Sequence, residues 1–569
     1  MPSLGSLLLP LSLVLLSAQH AHADLPWITD YDAFNAGVYG EWPTQRYHSS
    51  DLISPHFLVN TWNQSAMSNR SHIFMAPSLG GQGATPFIFS SKDLSLVYAD
   101  PRWNGGSDTK LQFFEGKPYI TFWSGIDFHG HGTGGGVMLN SSYGMEYNLT
   151  VNGIAGGADS HEFQLTDDGG ALVNNYHTMI ADVSSVGGPN GGKVLTGSFQ
   201  EIDIKTGWVR FQWNAIDHFE VAESKSGYSD NEWGWDWFHM NSIQKTYEGN
   251  YLISSRHLCM IALINGTDGN KIWQIGGVKN DFTDLSEGRA TNFAFQHNAR
   301  FVDANLTEIT LFDNQATWTT SPTPACDKEC SRGLRLKIDT ANMTVRVLNE
   351  FHHPKSVQAW AEGGIQALEG GTFMVGFGVV PTFMEYTETG EVAMEVQTRP
   401  WSVTSGRGTD LYRVYKFDWE AQPPWKPSLV EVKQSLYVSW NGATEVEKWA
   451  LYGGTSPENL KRLGVYAKMG FETAIRPFNS SNFYQVAALD GNGKTLDTSE
   501  ILEMYQLPCP VKFDIKDPVL VGIRAFPFAW AAVMIIYMAT TNGYIRLPGR
   551  RRSRATSVGE DGSKSKLLP

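Results

Sequence analysis

Two neighbouring stretches, FQLTDDGGALV (Phe163–Val173) and FQEIDIKTGWVRFQW (Phe199–Trp213), decide how this chain is read. In each, strand-like residues run into a short cluster of Asp, Gly, Lys or Thr and then resume, the pattern of two antiparallel strands joined by a glycine turn. The same grammar returns in YEGNYLISSR (Tyr247–Arg256) with IALINGTDGNKIW (Ile261–Trp273), and in SRGLRLKIDTANMTVRVLNEF (Ser331–Phe351). It returns again in GGIQALEGGTFMVGFG (Gly363–Gly378) with PTFMEYTETGEVAMEV (Pro381–Val396). The theme recurs roughly every 50–60 residues, near the length of a four-stranded propeller blade. Counting units from His72 to Asp418 predicts a six-bladed β-propeller within residues 24–421; an array of β-sandwiches is the fallback. In a propeller, residues far apart in sequence converge on one central channel.

Composition agrees with an all-β fold. The 57 Gly, 19 Trp, 21 Tyr and 30 Phe favour short strands and tight turns, and 569 residues exceed what one core serves. With 44 Lys+Arg against 58 Asp+Glu, the net charge of -14 repels phosphate backbones and excludes nucleic acid as the expected partner. An anionic ligand would need locally placed positive charge. After QPPWKP (Gln422–Pro427) the pattern changes to short alternating strands. Residues 422–508 read as an accessory β-sandwich of immunoglobulin or fibronectin III character.

The termini carry targeting signals. Residues 1–23 read as a signal peptide, with an apolar run from Leu7 to Leu16 and Ala21-His22-Ala23 before Asp24. Residues 525–545 carry no charge and match the ~20 residues of a membrane-spanning helix. The tail 546–569 begins with Arg546, Arg550, Arg551, Arg552 and Arg554, which predicts a cytosolic tail and a large domain that is lumenal or extracellular, a type I arrangement on the secretory route or plasma membrane. Sequons at Asn63, Asn69, Asn140, Asn148, Asn265, Asn305, Asn342 and Asn479 are then open to glycosylation. Of four cysteines, Cys326 and Cys330 (CDKEC) could close a small disulfide loop, a zinc site being the weaker reading. Cys259, in a strand-like run, reads as an inert buried thiol.

Chemistry concentrates in four short stretches of the middle units: SHEFQL with His161, WFHMNSI with His239, LISSRHL with Arg256 and His257, and FQHNAR with His297. Each alone is the mark of a structural hydrogen-bonder; FAFQHNARF (Phe293–Phe301) reads as a buried or half-buried strand. Together, entering one channel from neighbouring strands, imidazoles and a guanidinium suit an oxyanion. HEFQ, HMNS, SSRH and QH in this order resemble the arylsulfotransferase family, particularly its fungal branch, across roughly residues 40–420. DVSSVGGPNGG (Asp182–Gly192) and KIWQIGG (Lys271–Gly277) belong to the same likeness.

The resemblance implies a six-bladed propeller that moves a sulfuryl group from a phenolic sulfate ester to a phenol through a sulfohistidine, with no cofactor and no nucleotide sulfate donor. It makes His297 the nucleophile, with His161, His239 and Arg256 binding the sulfuryl oxygens and assisting proton transfer. Asn241 is expected to orient a donor, His257 to pack beside Arg256, and Arg300 to serve as a structural partner.

Two other functions fit the same residues: acid/base isomerisation or cyclisation of a phenolic or polyketide-like metabolite, and non-catalytic ligand binding at a cell surface. His129 and His131 in FHGHGTGGG (Phe128–Gly136) have the spacing of metal ligands, but the glycines favour a flexible rim loop. The stretch lacks the GK[ST] of a phosphate loop.

Overall fold

The computed structural model describes residues 23–80, 84–128, 130–317, 326, 330–401, 411–477 and 481–504. The signal-peptide residues 1–22, the apolar stretch 525–545, the tail 546–569, His129 and Asn479 lie outside them. Among the described residues no helix is long and apolar enough to cross a membrane.

Six sheets follow one another along the chain, antiparallel except for short parallel additions of Trp235–Asp236 to the third and Thr283–Asp284 to the fifth. Blade 2 spans Ser107–Phe114, Lys117–Phe128, His131–Leu139 and Met145–Leu149. Blade 3 spans Phe163–Leu165, Gly170–Asp182, Asn190–Asp203 and Val209–Asn214. Blade 4 runs from Met240–Lys245 to Lys271–Gly276, and blade 5 from His297–Phe301 to Thr344–His352. Two sheets are completed by distant segments. Tyr415–Phe417 pairs with His72–Met75 to form the inner edge of blade 1, and Leu58–Trp62 adds a fifth strand to blade 6, which begins at Gly364–Ala367. These exchanges bind both ends of the propeller-like ring together.

The ring is stitched at its centre by side-chain amides. Gln112 bonds Phe163 O and Leu165 N, Gln244 bonds Phe301 O and N, and Gln366 bonds Lys416 O and N. Each glutamine thus replaces, between two inner strands, the paired backbone bonds that a splayed ladder cannot make. Apolar clusters occupy every junction between adjacent blades, for example Phe199, Trp213, Met240 and Ile253 between blades 3 and 4. Because both faces of each blade are covered, strands such as Met260–Ile264 are continuously apolar rather than alternating.

Within the channel, inner-strand residues form a buried ionic plug. Lys110 Nζ lies 2.6 Å from Asp108 and 3.0 Å from Glu162, Arg413 lies 2.8 Å from Asp108, and Arg300 pairs with Glu162. Burial works against the Glu162 carboxylate, yet Arg300, Lys110 and Arg413 hold it well below the usual carboxylate range. Arg300 is thus the structural partner expected of it.

Three sequence expectations are corrected. The glycine-rich stretch after residue 128 is not a rim loop: His131–Leu139 is a strand, paired throughout with Lys117–Phe128. A Cβ on Gly132 would fall 2.5 Å from the Trp123 ring, and one on Gly136 2.2 Å from Phe163, so these glycines permit tight packing rather than flexibility. FAFQHNARF is strand only from His297; the preceding Phe293–Gln296 run into it as a turn, with Phe295 at φ 56°. Cys259 likewise lies in the turn after Tyr251–Ser255, at φ 51°.

Residues 428–503 form two sheets sharing a core of Leu436, Val438, Trp449, Ile475 and Val486. This sandwich docks on blade 1 through Asn441, whose side chain bonds both N and O of Ala99. Cys326 and Cys330 are joined in a disulfide.

Candidate active site

A cavity of about 1430 Å³ opens at one end of the ring. His161, His239, Arg256, His257 and His297 all line it. Topology explains why. His161 lies just before the inner strand of blade 3, His239 just before that of blade 4, and His297 begins that of blade 5. Inner strands all run the same way along a propeller channel, so their starts share one face. Ser255 pairs with Met240 across the first hairpin of blade 4, which returns Arg256 to that face.

His297 is held by one bond that fixes its tautomer. Asn314 donates its two N–H groups to the carbonyls of Ala359 and Glu362, at 2.8 and 2.9 Å, so its Oδ1, 2.7 Å from His297 Nδ1, must accept. The Nδ1 carries the proton and Nε2 keeps a lone pair, which accepts the backbone N–H of Glu362 at 3.3 Å. Burial, reinforced by the Arg256 charge, pushes His297 well below the usual histidine range, so the ring is neutral.

Arg256 is the electropositive centre. It donates to His257 Nε2 at 2.6 Å and to Trp360 O at 3.1 Å, and its guanidinium lies 4.3 Å from the Phe295 ring centroid. Among the described residues no carboxylate forms an ion pair with it. Burial lowers it to about 10, so it stays cationic at neutral pH. A buried guanidinium at a cavity wall, with no carboxylate in ion-pair contact and only the more distant charge of Asp236 favouring it, is a site for an anion. His257 donates Nδ1–H to Asp236 O at 2.7 Å and receives Arg256 at Nε2; burial lowers it to about 4, so it positions the arginine as a neutral ring.

His161 and His239 face each other. Their Nε2 atoms are 3.2 Å apart, while each Nδ1 lies 2.5 Å from a carboxylate, Asp159 for His161 and Asp236 for His239. His239 sits at φ 52°, a backbone conformation rare for a residue with a Cβ. Tyr176, Trp233, Trp360 and Tyr412 supply aromatic walls. Asn241 does not line the cavity: it is fully buried, donating to Gln296 O and accepting Arg413 at its backbone carbonyl.

Sequence reading missed Asp159, Asp236, Asn314 and the Glu362 backbone. The two aspartates were within reach, two and three residues before His161 and His239. Asn314 and Glu362 meet His297 only through the fold.

The arylsulfotransferase (ASST) family model matches residues 110–399, half of the chain. The chain belongs to the arylsulfotransferase family. The matched span runs from blade 2 through blade 6 and contains all four predicted site residues, with blade 1 and the sandwich outside it. No curated protein matches. Among solved structures, a protein of unknown function from Bacteroides caccae shares 14% identity over 61% of this chain and 98% of its own, with a TM-score of 0.36. The Cps50 (Swd1) β-propeller domain of Myceliophteria thermophila shares 11% over 59% and 94%, with a TM-score of 0.28. A catalytically inactive virginiamycin B lyase from Staphylococcus aureus, bound to quinupristin, shares 10% over 68% and 97%, with a TM-score of 0.30. The architecture of this arylsulfotransferase-family chain therefore rests on its own strand pairing.

Proposed function

We propose that the chain is a membrane-anchored arylsulfotransferase that moves a sulfuryl group from a phenolic sulfate ester to a phenol through a sulfated His297. The observation that carries the reading is the neutral His297, its Nδ1 held by Asn314 and its Nε2 on the wall of a cavity that Arg256 also lines, with no carboxylate among the described residues in ion-pair contact with that arginine.

In the first half-reaction, with one proton shared between the Nε2 atoms of His161 and His239, His297 Nε2 bonds to sulfur while the ester S–O bond breaks, and the departing phenolate takes that shared proton. Arg256 stabilises the sulfuryl oxygens, joined by the Glu362 N–H that Nε2 gives up as its lone pair bonds to sulfur. The imidazole gains positive charge and keeps its Nδ1–H on Asn314. In the second half-reaction the acceptor phenol returns a proton to the pair, its oxygen bonds to sulfur, and Nε2 departs. The aromatic walls suit the phenyl rings of donor and acceptor.

Residues 1–23 direct the chain into the secretory pathway in this reading, and 525–545 anchor it. The Cys326–Cys330 disulfide supports an oxidising compartment, and so do the exposed asparagines of five sequons, Asn63, Asn69, Asn148, Asn305 and Asn342.

The test is incubation of the purified full chain with a chromogenic aryl sulfate and a phenol, followed by mass spectrometry of the trapped protein. A sulfated peptide carrying His297 is expected. No phenol release, with His297→Ala indistinguishable from the parent, overturns the reading.

A further inference from the structure

The cavity is larger than the chemistry at His297 requires. In a two-step exchange the donor's phenol leaves before the acceptor enters, so the volume of about 1430 Å³ serves one aryl compound at a time. Pockets that enclose drug-sized ligands span roughly 300–1,000 Å³, and a single phenol ring fills only a fraction of such a space.

The excess lies along one side, where blades 2 and 3 outgrow the others. The second strand of blade 2 has 12 residues and the second and third of blade 3 have 13 and 14, against five in each of the corresponding strands of blade 4. That difference is worth roughly 25 Å of strand. His177, Thr178 and Leu195 line the cavity from within these strands, which continue past them to Asp182 and back from Asn190.

Trp233 stands on this wall. Its side chain is half exposed, and its ring centroid is 5.9 Å from that of Phe128, which also lines the cavity. Its backbone is fixed: the Trp233 carbonyl accepts Thr178 Oγ1 at 2.7 Å, and Trp235 and Asp236 pair in parallel with Val194 and Leu195. Gly234, at φ 100°, permits that approach, since a Cβ there would fall 2.7 Å from the Val194 backbone. Two neighbouring aromatic rings held open to a cavity by a fixed backbone make a stacking platform. The same segment reaches the reacting groups. Asp236, three residues on, accepts Nδ1–H of His239, and three residues span at most about 11 Å. A compound with one ring at the His161–His239 pair comes within reach of Trp233 with its next rings.

The mouth is also the face left bare of sequons among the described residues. Inner strands start at the cavity, so the turns between first and second and between third and fourth strands lie on the opposite face. Asn140, Asn265, Asn305 and Asn342 fall in such turns, and Asn63 and Asn69 in the connection that enters the second strand of blade 1 from that face. Asn148 lies on the outer strand of blade 2. Glycans at these positions leave the mouth open to a bulky substrate.

We infer that the wall carrying Phe128, Thr178, Leu195 and Trp233 is a subsite for the distal rings of a multi-ring phenol or its sulfate ester, stacked on Trp233. That the compound is phenolic rests on the proposed sulfuryl transfer; that it has several rings rests on the wall.

The test is calorimetric titration of the purified full chain, without sulfate donor, with phenol, naphthol and a hydroxyphenanthrene. Affinity should rise with ring number, by about 10²-fold from phenol to hydroxyphenanthrene. Trp233→Ala should cut that ratio about 10-fold, and Trp233→Phe should keep it within about threefold of the parent. Trp208→Ala, which removes an exposed indole in a turn of the opposite face, should leave it unchanged. A parent ratio near one, a ratio that survives Trp233→Ala, or an equal fall in Trp208→Ala overturns the assignment. Sulfation of His297 is read separately by mass spectrometry, so the transfer and the subsite can each fail alone.

Discussion

Asn314 Oδ1 accepts Nδ1–H of His297 at 2.7 Å, and both Asn314 N–H groups are engaged by the carbonyls of Ala359 and Glu362. A neutral amide therefore sets the tautomer of the candidate nucleophile without adding charge. Asn314→Asp places a carboxylate beside Nδ1 and removes two donors. It should raise the His297 pKa, so single-turnover phenol release gains an acid limb near neutrality and falls about 10²-fold below it. An unchanged pH–rate profile would mean that Asn314 does not set the protonation of His297.

Arg256 holds its place through His257 Nε2, Trp360 O and the Phe295 ring. Lysine keeps the charge but loses the planar fork and the stacking. Arg256→Lys should lower kcat/KM for an aryl sulfate by about 10²-fold or more, with circular dichroism unchanged. Activity within a factor of two of the parent would remove Arg256 from the sulfuryl site.

Acid should destabilise the protein through buried neutral histidines. His72, His257 and His353 are each lowered by burial to about 4, whereas unfolded histidine titrates near 6.5. Between those values the unfolded chain binds more protons than the folded one, so stability falls as pH drops from about 6.5 to 4, by up to roughly 3 kcal/mol per residue. Asp24, raised by burial to about 6, acts oppositely: the folded chain binds its proton more tightly, a contribution that grows toward acid and is lost as pH rises through 6. Melting temperature against pH should therefore fall below pH 6.5, and fall more steeply in Asp24→Asn. A flat profile contradicts this account.

Glu162 is fully buried and faces three cations. Glu162→Gln strips Arg300 of its carboxylate and leaves Asp108 alone against Lys110 and Arg413, and should cost about 3–5 kcal/mol, measured by urea unfolding. A cost below about 1 kcal/mol would show that the plug is not a closed electrostatic unit.

The two glycines near His131 should respond differently. A Cβ on Gly134 falls 2.2 Å from Ser124 O, whereas Gly130, at φ 78°, has nothing within 4 Å. Gly134→Ala should lower the melting temperature by several degrees, because the clash is with backbone of the paired strand. Gly130→Ala should cost only about 1 kcal/mol of backbone strain. Equal effects would remove the packing argument for Gly134.

Blade order and much of the site were legible because they are local. Turn residues such as Asp168-Gly169 and Thr206-Gly207 fix hairpins through backbone preferences acting over a few residues, and recurrence of hairpins fixes an all-β ring. HEFQ, HMNS, SSRH and QH could be ranked as one group because their order places them on successive blades. Illegible were the contacts that give those residues their states. His161 meets His239 across 78 positions, Asn314 reaches His297 from 17 away, and Glu362 from 65 away. Asn241 shows the converse: it lies two residues beyond His239, where alternation alone would put both on one face, but His239 precedes the strand at φ 52° and the pairing register shifts between Met240 and Ser242, and the Asn241 side chain turns into the ring to meet Gln296 O. The sequence by itself determined the strands, their order and the residue types at the cavity. Tertiary structure alone decided which imidazole is neutral, which buried arginine has no carboxylate in direct contact among the described residues and which ring nitrogens meet, because desolvation and hydrogen bonding depend on distances that only the closed ring creates.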